Sequence, residues 1–206
     1  MAETLYDGVA ALPAGALPVG AKGRDSVGWW GMLCLIATES SLFAYLLFSY
    51  FYIAIQRGHG WSPEPHPSVM LAGPNTLVLL SSSMAAWWGE GGVRKGQRGR
   101  HLAGLALAIA LGVVFLVVQV FEWKAKAFGP ADGSYGSLYF TITGFHMAHV
   151  IVGIALLSVV LVWSAMGYFT PRRYEPVSIS IVYWHFVDAV WLAVFSTFYI
   201  SPYLMG

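Results

Sequence analysis

The sequence predicts an all-α membrane protein with five transmembrane helices. Of its 206 residues, 57% are hydrophobic and only 10% are charged, and the mean hydropathy is +0.64. These values lie far outside the range of soluble domains. Five apolar runs are each near or above the ~20 residues needed to cross a bilayer. Tryptophans fall at the ends of these runs, where an aromatic belt is expected: Trp29, Trp30, Trp87, Trp88, Trp123 and Trp163.

The chain divides into a tail and one membrane domain. Residues 1–27 contain acids, two prolines and no basic start of the kind that a signal peptide has, so we expect a flexible tail. Residues 28–206 form the five-helix transmembrane domain. Its spans are predicted, in chain order, at about residues 29–55, 69–88, 102–123, 138–163 and 179–199.

Basic residues predict the orientation of the chain. The tail and the second and fourth loops together hold eight of the eleven lysines and arginines. The positive-inside rule therefore places the N-terminus, with its tail, in the cytoplasm and the C-terminus outside. The eight residues are Lys22, Arg24, Arg94, Lys95, Arg98, Arg100, Arg172 and Arg173.

Composition also excludes several functions. The single cysteine, Cys34, allows neither a disulfide nor a Cys-x-x-Cys metal or redox motif. A net charge of +1 implies no nucleic-acid partner.

On the third span Gly104, Ala108 and Gly112 repeat every four residues, which predicts a surface that another helix approaches closely.

Ionisable side chains within the spans are the candidates for function. In the run GFHMAHVIVG, His146 and His149 are three residues apart, so both imidazoles are predicted on nearly the same helix face. Glu39 lies in the first third of span one. Because no lysine or arginine lies inside a span, a charged Glu39 would be unpaired. We therefore expect it to be protonated or bonded to a histidine.

Two further pairs each share a helix face. Gln119 and Glu122 lie near the outer end of span three, and His185 and Asp188 lie in the sequence YWHFVDAVW of span five. Such groups could form structural hydrogen bonds between helices, relay protons or bind lipid headgroups. A metal or haem site is also conceivable. However, only three histidines lie in the membrane, and no cysteine accompanies them.

Several motifs occur in an order that resembles subunit III of the haem–copper oxidases, the cytochrome c and quinol oxidase family. They are ATESSLFAYLLF, PNTLVLLSSS, QVFEWKA, GFHMAHVIVG and YWHFVDAVWLAVF. The resemblance covers nearly everything after Val27 and is closest to the short, five-helix bacterial form. The chain departs from the family pattern at Met147, where glycine is usual, and at Ser40 and Ser41. None of these changes affects an ionisable group.

The resemblance implies a non-catalytic accessory role within a proton-translocating oxidoreductase, most closely an aa3-type cytochrome c oxidase of a bacterial cytoplasmic membrane. Family members carry no haem and no copper, which belong to the partner subunits. The implied partners are the catalytic subunit I, the electron-entry subunit II and membrane lipids, with a further place in a respiratory supercomplex. The implied role is to sustain proton uptake and protect the active site. Quinol oxidases and nitric oxide reductase systems are alternatives, and an independent proton or solute transporter is disfavoured by the lack of paired repeats.

The resemblance also implies a V-shaped cleft that holds phospholipids between two groups of helices. With five spans, we expect spans one and two on one side and three to five on the other. Trp184 and Trp191 of span five are expected to line the cleft, and Arg172 or Arg173 to bind a lipid headgroup. Glu39 and His149 are expected to be neighbours. We therefore predict a hydrogen bond between them, because both are otherwise unsatisfied in lipid.

Overall fold

The computed structural model describes residues 26–58, 61 and 69–205. Five long helices are apolar enough to cross a membrane, as predicted. The fifth continues through a π-helical segment, Ser196–Ile200, into a short α6, Ser201–Met205. The described part of the chain has no β-strand, only an isolated bridge between Thr170 and Arg173. The long helices are α1 Val27–Arg57, α2 Val69–Arg94, α3 Arg98–Ala125, α4 Gly133–Ala165 and α5 Glu175–Phe195.

The helices extend beyond the apolar runs that predicted them. For example, α2 continues to Arg94 and α3 begins at Arg98, so the turn between them is only three residues long. Polar residues at a span end can continue the helical hydrogen bonds into the membrane interface, where hydropathy no longer detects them. The predicted flexible tail falls almost entirely outside the described residues.

Helices α2 and α3 approach each other through glycine. A methyl group on Gly104 would lie 2.5 Å from the Cα of Gly89, so no larger residue fits there. This confirms the predicted small-residue surface around Gly104. The buried ring of His101 adds to the contact, because its Nδ1 lies 3.0 Å from the carbonyl oxygen of Gly89.

The helix grouping differs from the expected one. Helix α2 packs along α3 and α5, whereas α1 packs on α4 and α5. The expected grouping of spans one and two on the same side is therefore wrong. Helix α2 packs against α3 instead, because Gly89 of α2 and Gly104 of α3 let the two backbones approach closely. Only Phe43 and Tyr50 of the 31 residues of α1 are buried, so most of α1 lies outside the core.

Candidate functional site: polar contacts between helices

A contact between a carboxyl group and an imidazole joins α1 to α4. The Nε2 atom of His149 lies 3.0 Å from Oε2 of Glu39, which is the predicted hydrogen bond. Both side chains are partly exposed at the edge of the bundle. Phe43 packs edge-on against the imidazole, with ring centroids 5.0 Å apart. The pair is therefore shielded on one side by the protein and exposed on the other.

The geometry of His149 fixes the proton count of this pair. Its Nδ1 atom lies 2.7 Å from the carbonyl oxygen of Phe145, and a carbonyl only accepts, so Nδ1 carries a hydrogen. The bond between Nε2 and Glu39 then needs one more proton, on either the imidazole or the carboxyl group. In both arrangements the pair is neutral overall, which is the form that a low-dielectric surrounding favours.

His146 has different neighbours from His149, so the expectation of one shared face holds only in part. It is fully buried, and its Nε2 lies 3.2 Å from the carbonyl oxygen of Val187 on α5. Its ring packs against Trp191 with centroids 4.9 Å apart, and edge-on against Phe115 of α3. His146 therefore connects three helices inside the core, while His149 connects two at its edge.

A second polar cluster lies at the far end of α3, around the buried carboxylate of Glu122. Lys126, which follows the last residue of α3, places its Nζ 2.8 Å from Oε1 of Glu122. Tyr199 donates its hydroxyl hydrogen to the same oxygen. Because that hydrogen is used, Tyr139 must be the donor in its 3.0 Å contact with the Tyr199 hydroxyl. The ammonium group also lies over both tyrosine rings, 5.2 Å and 5.4 Å from their centroids.

The π-helical segment of the fifth span carries Tyr199. Extra residues in a helical turn rotate the side chains that follow, and such segments often occur at functional sites. The cluster therefore joins α3, α4 and the end of the fifth span. Gln119, predicted beside Glu122, is buried, and neither of its amide atoms has a hydrogen-bond partner among the described residues.

His185 and Asp188 lie one turn apart on α5, and only His185 has a hydrogen-bond partner among the described residues. The Nδ1 atom of His185 lies 2.9 Å from the hydroxyl of Ser83 on α2. Asp188 is buried, and neither carboxyl oxygen has a hydrogen-bond partner among the described residues. An ionised carboxylate with no partner is very costly in such a place, so the structure favours a neutral Asp188.

Trp184 and Trp191 do not line a cleft, and this expectation is wrong. Both side chains are fully buried. Their Nε1 atoms donate to α2, at 3.0 Å to Ser82 Oγ and 2.9 Å to Thr76 Oγ1. Glycines make room for the Trp184 ring: a Cβ on Gly153 would lie 2.6 Å from it, and one on Gly112 would lie 2.8 Å from it. The two tryptophans therefore form the core between α5 and its neighbours.

One end of the bundle, which we call the basic end, carries the α2–α3 and α4–α5 turns. Arg98 donates to the carbonyl oxygen of Ala165 across these turns at 2.5 Å. The Nε2 atom of His101 lies 2.8 Å from Ser164 Oγ. The mostly buried Glu90 accepts hydrogen bonds from both Arg94 and Ser178, each at 2.6 Å.

Two cavities open at the basic end, on either side of Glu90. One, of about 280 Å³, lies between the start of α1, the end of α2 and the start of α5. The other, of about 290 Å³, lies between the end of α2 and the start of α3. Neither is lined by Arg172 or Arg173, which lie in the α4–α5 turn.

Several of these residues were not singled out from the sequence as site residues. Most are hydroxyl donors and acceptors, which look like ordinary small or aromatic helix residues until their partner helix is known. Arg94 was counted only as a loop charge, and Lys126 and His101 lie outside the predicted spans. The residues missed are Thr76, Ser82, Ser83, Glu90, Arg94, His101, Lys126, Tyr139, Ser164, Ser178 and Tyr199.

Metal-binding side chains do not converge in the described ranges. No three histidine, cysteine, aspartate or glutamate side chains there come close enough to hold a metal ion. The polar contacts instead join one helix to another. The fold and these contacts define a multi-pass membrane protein in which several ionisable side chains, among them Glu39, Glu90 and Glu122, join neighbouring helices.

Similarity to known proteins gives the family. The profile described as cytochrome c oxidase subunit III matches residues 24–203. Cytochrome c oxidase subunit 3 of Locusta migratoria is 32% identical over 177 residues, covering 82% of this chain and 67% of the relative. That of Gallus gallus is also 32% identical, over 82% of this chain and 68% of the relative. That of Sus scrofa is 33% identical with the same coverage.

The chain therefore belongs to the cytochrome c oxidase subunit III family, the accessory subunits of haem–copper oxidases.

Proposed function

We propose that the chain is a non-catalytic accessory subunit of an aa3-type cytochrome c oxidase in a bacterial cytoplasmic membrane. The observation that carries the proposal is the use of its ionisable side chains. Glu39, Glu122 and Glu90 each bond to a side chain of another span. Carboxyl groups that are bonded to neighbouring side chains in this way stabilise the packing of the helices. In this role the chain packs on the catalytic subunit I, beside the electron-entry subunit II, and helps that assembly keep its active site and its proton supply.

The orientation belongs to the same proposal. The odd number of candidate spans among the described residues supports ends of the membrane domain on opposite sides of the bilayer. The excess of lysine and arginine in the tail and at the basic end supports a cytoplasmic basic end and N-terminus, with the C-terminus outside.

Phospholipid is the second proposed partner. The cavity between α1, α2 and α5 supports it, because Trp29, Trp87 and Tyr174 form aromatic walls at a span end. Such side chains are typical of the headgroup level of a bilayer. Arg172 and Arg173, at the same end, remain predicted contacts for the lipid headgroup.

Purification through an affinity tag on this chain tests the proposed role. Membranes are extracted in a mild detergent, and the visible spectrum of the tagged fraction is recorded. We expect the absorbance of haem a together with oxidase subunits I and II. Turnover with reduced cytochrome c and with a quinol then identifies the electron donor. A tagged fraction without haem would contradict the accessory role, and activity with quinol alone would replace the cytochrome c oxidase assignment.

A further inference from the structure

The cavity between α2 and α3 is a concave site that borders the Glu90–Arg94 contact. It measures about 290 Å³ and opens at the basic end. It forms because α2 and α3 are too close for side chains to lie between them: a Cβ on Gly92 would lie 2.7 Å from the backbone nitrogen of His101. The larger side chains at the end of α2 and the start of α3 therefore lie beside this close contact and surround a depression. Its lining consists of Trp87, Glu90, Gly91, Arg94, Lys95 and Arg100.

Positive charge dominates this cavity. Three of its six lining residues are basic and one is acidic. The acidic one, Glu90, is mostly buried, and its Oε1 atom already accepts from Arg94 and Ser178. The backbone nitrogen of Lys95 donates to the carbonyl oxygen of Gly92, but its exposed side chain has no hydrogen bond or ion pair with any described residue. Counting the described residues, the cavity thus carries an excess of positive charge, which attracts an anion.

Arg100 is held in position for such an anion. Its Nε donates to the carbonyl oxygen of Trp88 at 3.1 Å, and its guanidinium lies over the Trp88 ring at 5.1 Å. Its Nη1 lies 3.4 Å from Oε1 of Gln97. Nη2 faces Gly91 across the cavity, 3.1 Å from where a Cβ on that glycine would lie. A fixed planar guanidinium is well suited to the oxygens of a phosphate group.

The depth of the cavity indicates where the phosphate comes from. Trp87 and Trp88 are 68% and 44% exposed at the end of a membrane-spanning helix. Tryptophans in such positions mark the headgroup level of the bilayer. Basic pockets at that level, on the side with the excess of positive charge, fit the headgroups of anionic phospholipids.

We propose that this cavity binds the phosphate of an anionic phospholipid, with Lys95 and Arg100 as its principal contacts and Trp87 beside the glycerol and upper acyl chains. The proposal rests on the proposed role of the chain as a lipid-binding subunit. It adds a site distinct from Arg172 and Arg173, which line neither cavity.

Photocrosslinking in the purified complex tests this site. The probe is phosphatidylglycerol with a photoreactive headgroup, added to the tagged complex after delipidation, and crosslinked peptides are mapped by mass spectrometry. We expect labelling between residues 84 and 100. Lys95→Gln and Arg100→Gln should each weaken the apparent affinity at that peptide about fivefold, and together roughly 25-fold. Arg94 is left intact because its loss would leave the carboxylate of Glu90 without its cation.

A matched control makes the same charge change at the opposite end of the bundle. Lys124→Gln with Arg57→Gln removes two exposed cations there and should leave the labelling unchanged. The haem content of the complex shows that each variant assembles. Equal labelling of the Lys95/Arg100 double variant and the unaltered protein would overturn the site. So would equal labelling by a phosphatidylcholine probe.

Other outcomes separate the site from the wider lipid role. Crosslinks confined to other peptides of this chain would reject the α2–α3 site and leave the lipid-binding role intact. No crosslink anywhere on this chain would reject both. Competition by millimolar inorganic phosphate as effective as that by unlabelled phosphatidylglycerol would overturn the lipid assignment and identify free phosphate as the ligand.

Discussion

His149 Nε2 lies 3.0 Å from Glu39 Oε2, and this polar contact joins α1 to α4 within the predicted spans. Helix α1 has few buried residues, so a polar bond is a large part of what fixes its position. Because Nδ1 of His149 donates to a backbone carbonyl, the bond to Glu39 contains a single shared proton. A glutamine can replace the carboxyl group in such a bond, whereas an alanine cannot.

We therefore predict that Glu39→Gln leaves assembly intact. The amide is the same size as the carboxyl group and can donate to Nε2 of a neutral imidazole. Glu39→Ala should destabilise the protein by about 1–3 kcal/mol, because it leaves the imidazole nitrogen unsatisfied. Thermal unfolding and the yield of haem-containing complex measure both effects. Failure of the glutamine variant to assemble would show that the ionised carboxylate itself is required.

A second prediction concerns the close fit around Trp184. Gly153→Ala should destabilise the protein by about 1–3 kcal/mol, because the new methyl group would lie 2.6 Å from a fully buried ring. Gly31→Ala is the control, since a Cβ there meets nothing within 4 Å. The thermal midpoints of the two variants should differ clearly. Equal midpoints would mean that the ring can move aside.

Tyr199→Phe provides a third prediction, for the cluster at the far end of α3. It removes the hydroxyl that donates to Glu122 and accepts from Tyr139. The loss should be about 1–3 kcal/mol, because the acceptor is a charged carboxylate. Tyr45→Phe removes an exposed hydroxyl and should have no measurable effect. A Tyr199→Phe variant as stable as this control would show that Lys126 alone satisfies Glu122.

The sequence was sufficient to predict the spans and the Glu39–His149 bond. Spans follow from hydropathy, which needs no knowledge of neighbours. The bond followed from two polar groups that had few other partners in lipid, together with the family resemblance. The spans could be predicted from the hydropathy of each run alone, whereas the choice of His149 as the partner of Glu39 depended on the resemblance.

The sequence was insufficient where packing decides the role of a residue. Trp184 was expected at a cleft, yet glycines on α3 and α4 let its ring enter the core and reach Ser82. Lys126 lies beyond the predicted end of span three, yet its flexible side chain reaches back one helical turn to Glu122. These roles depend on which helix faces meet, and hydropathy and residue type do not specify that.

The last prediction distinguishes two buried carboxyl groups by their charge. Glu122 is paired with Lys126, whose side chain is also largely buried, whereas Asp188 has no hydrogen-bond partner among the described residues. Glu122→Gln removes a charge that compensates a buried ammonium group, so it should cost about 3–5 kcal/mol. Asp188→Asn replaces a neutral acid by a neutral amide of nearly the same shape, so the change should stay within about 1 kcal/mol.

Thermal unfolding of the two variants in the intact complex, with haem content as a check on assembly, measures this difference. A large loss in Asp188→Asn would mean that Asp188 is ionised in the assembled oxidase. A cation from a neighbouring subunit would then have to face it, and α5 would belong to the subunit interface. A small loss would keep Asp188 as a neutral member of the core of this chain.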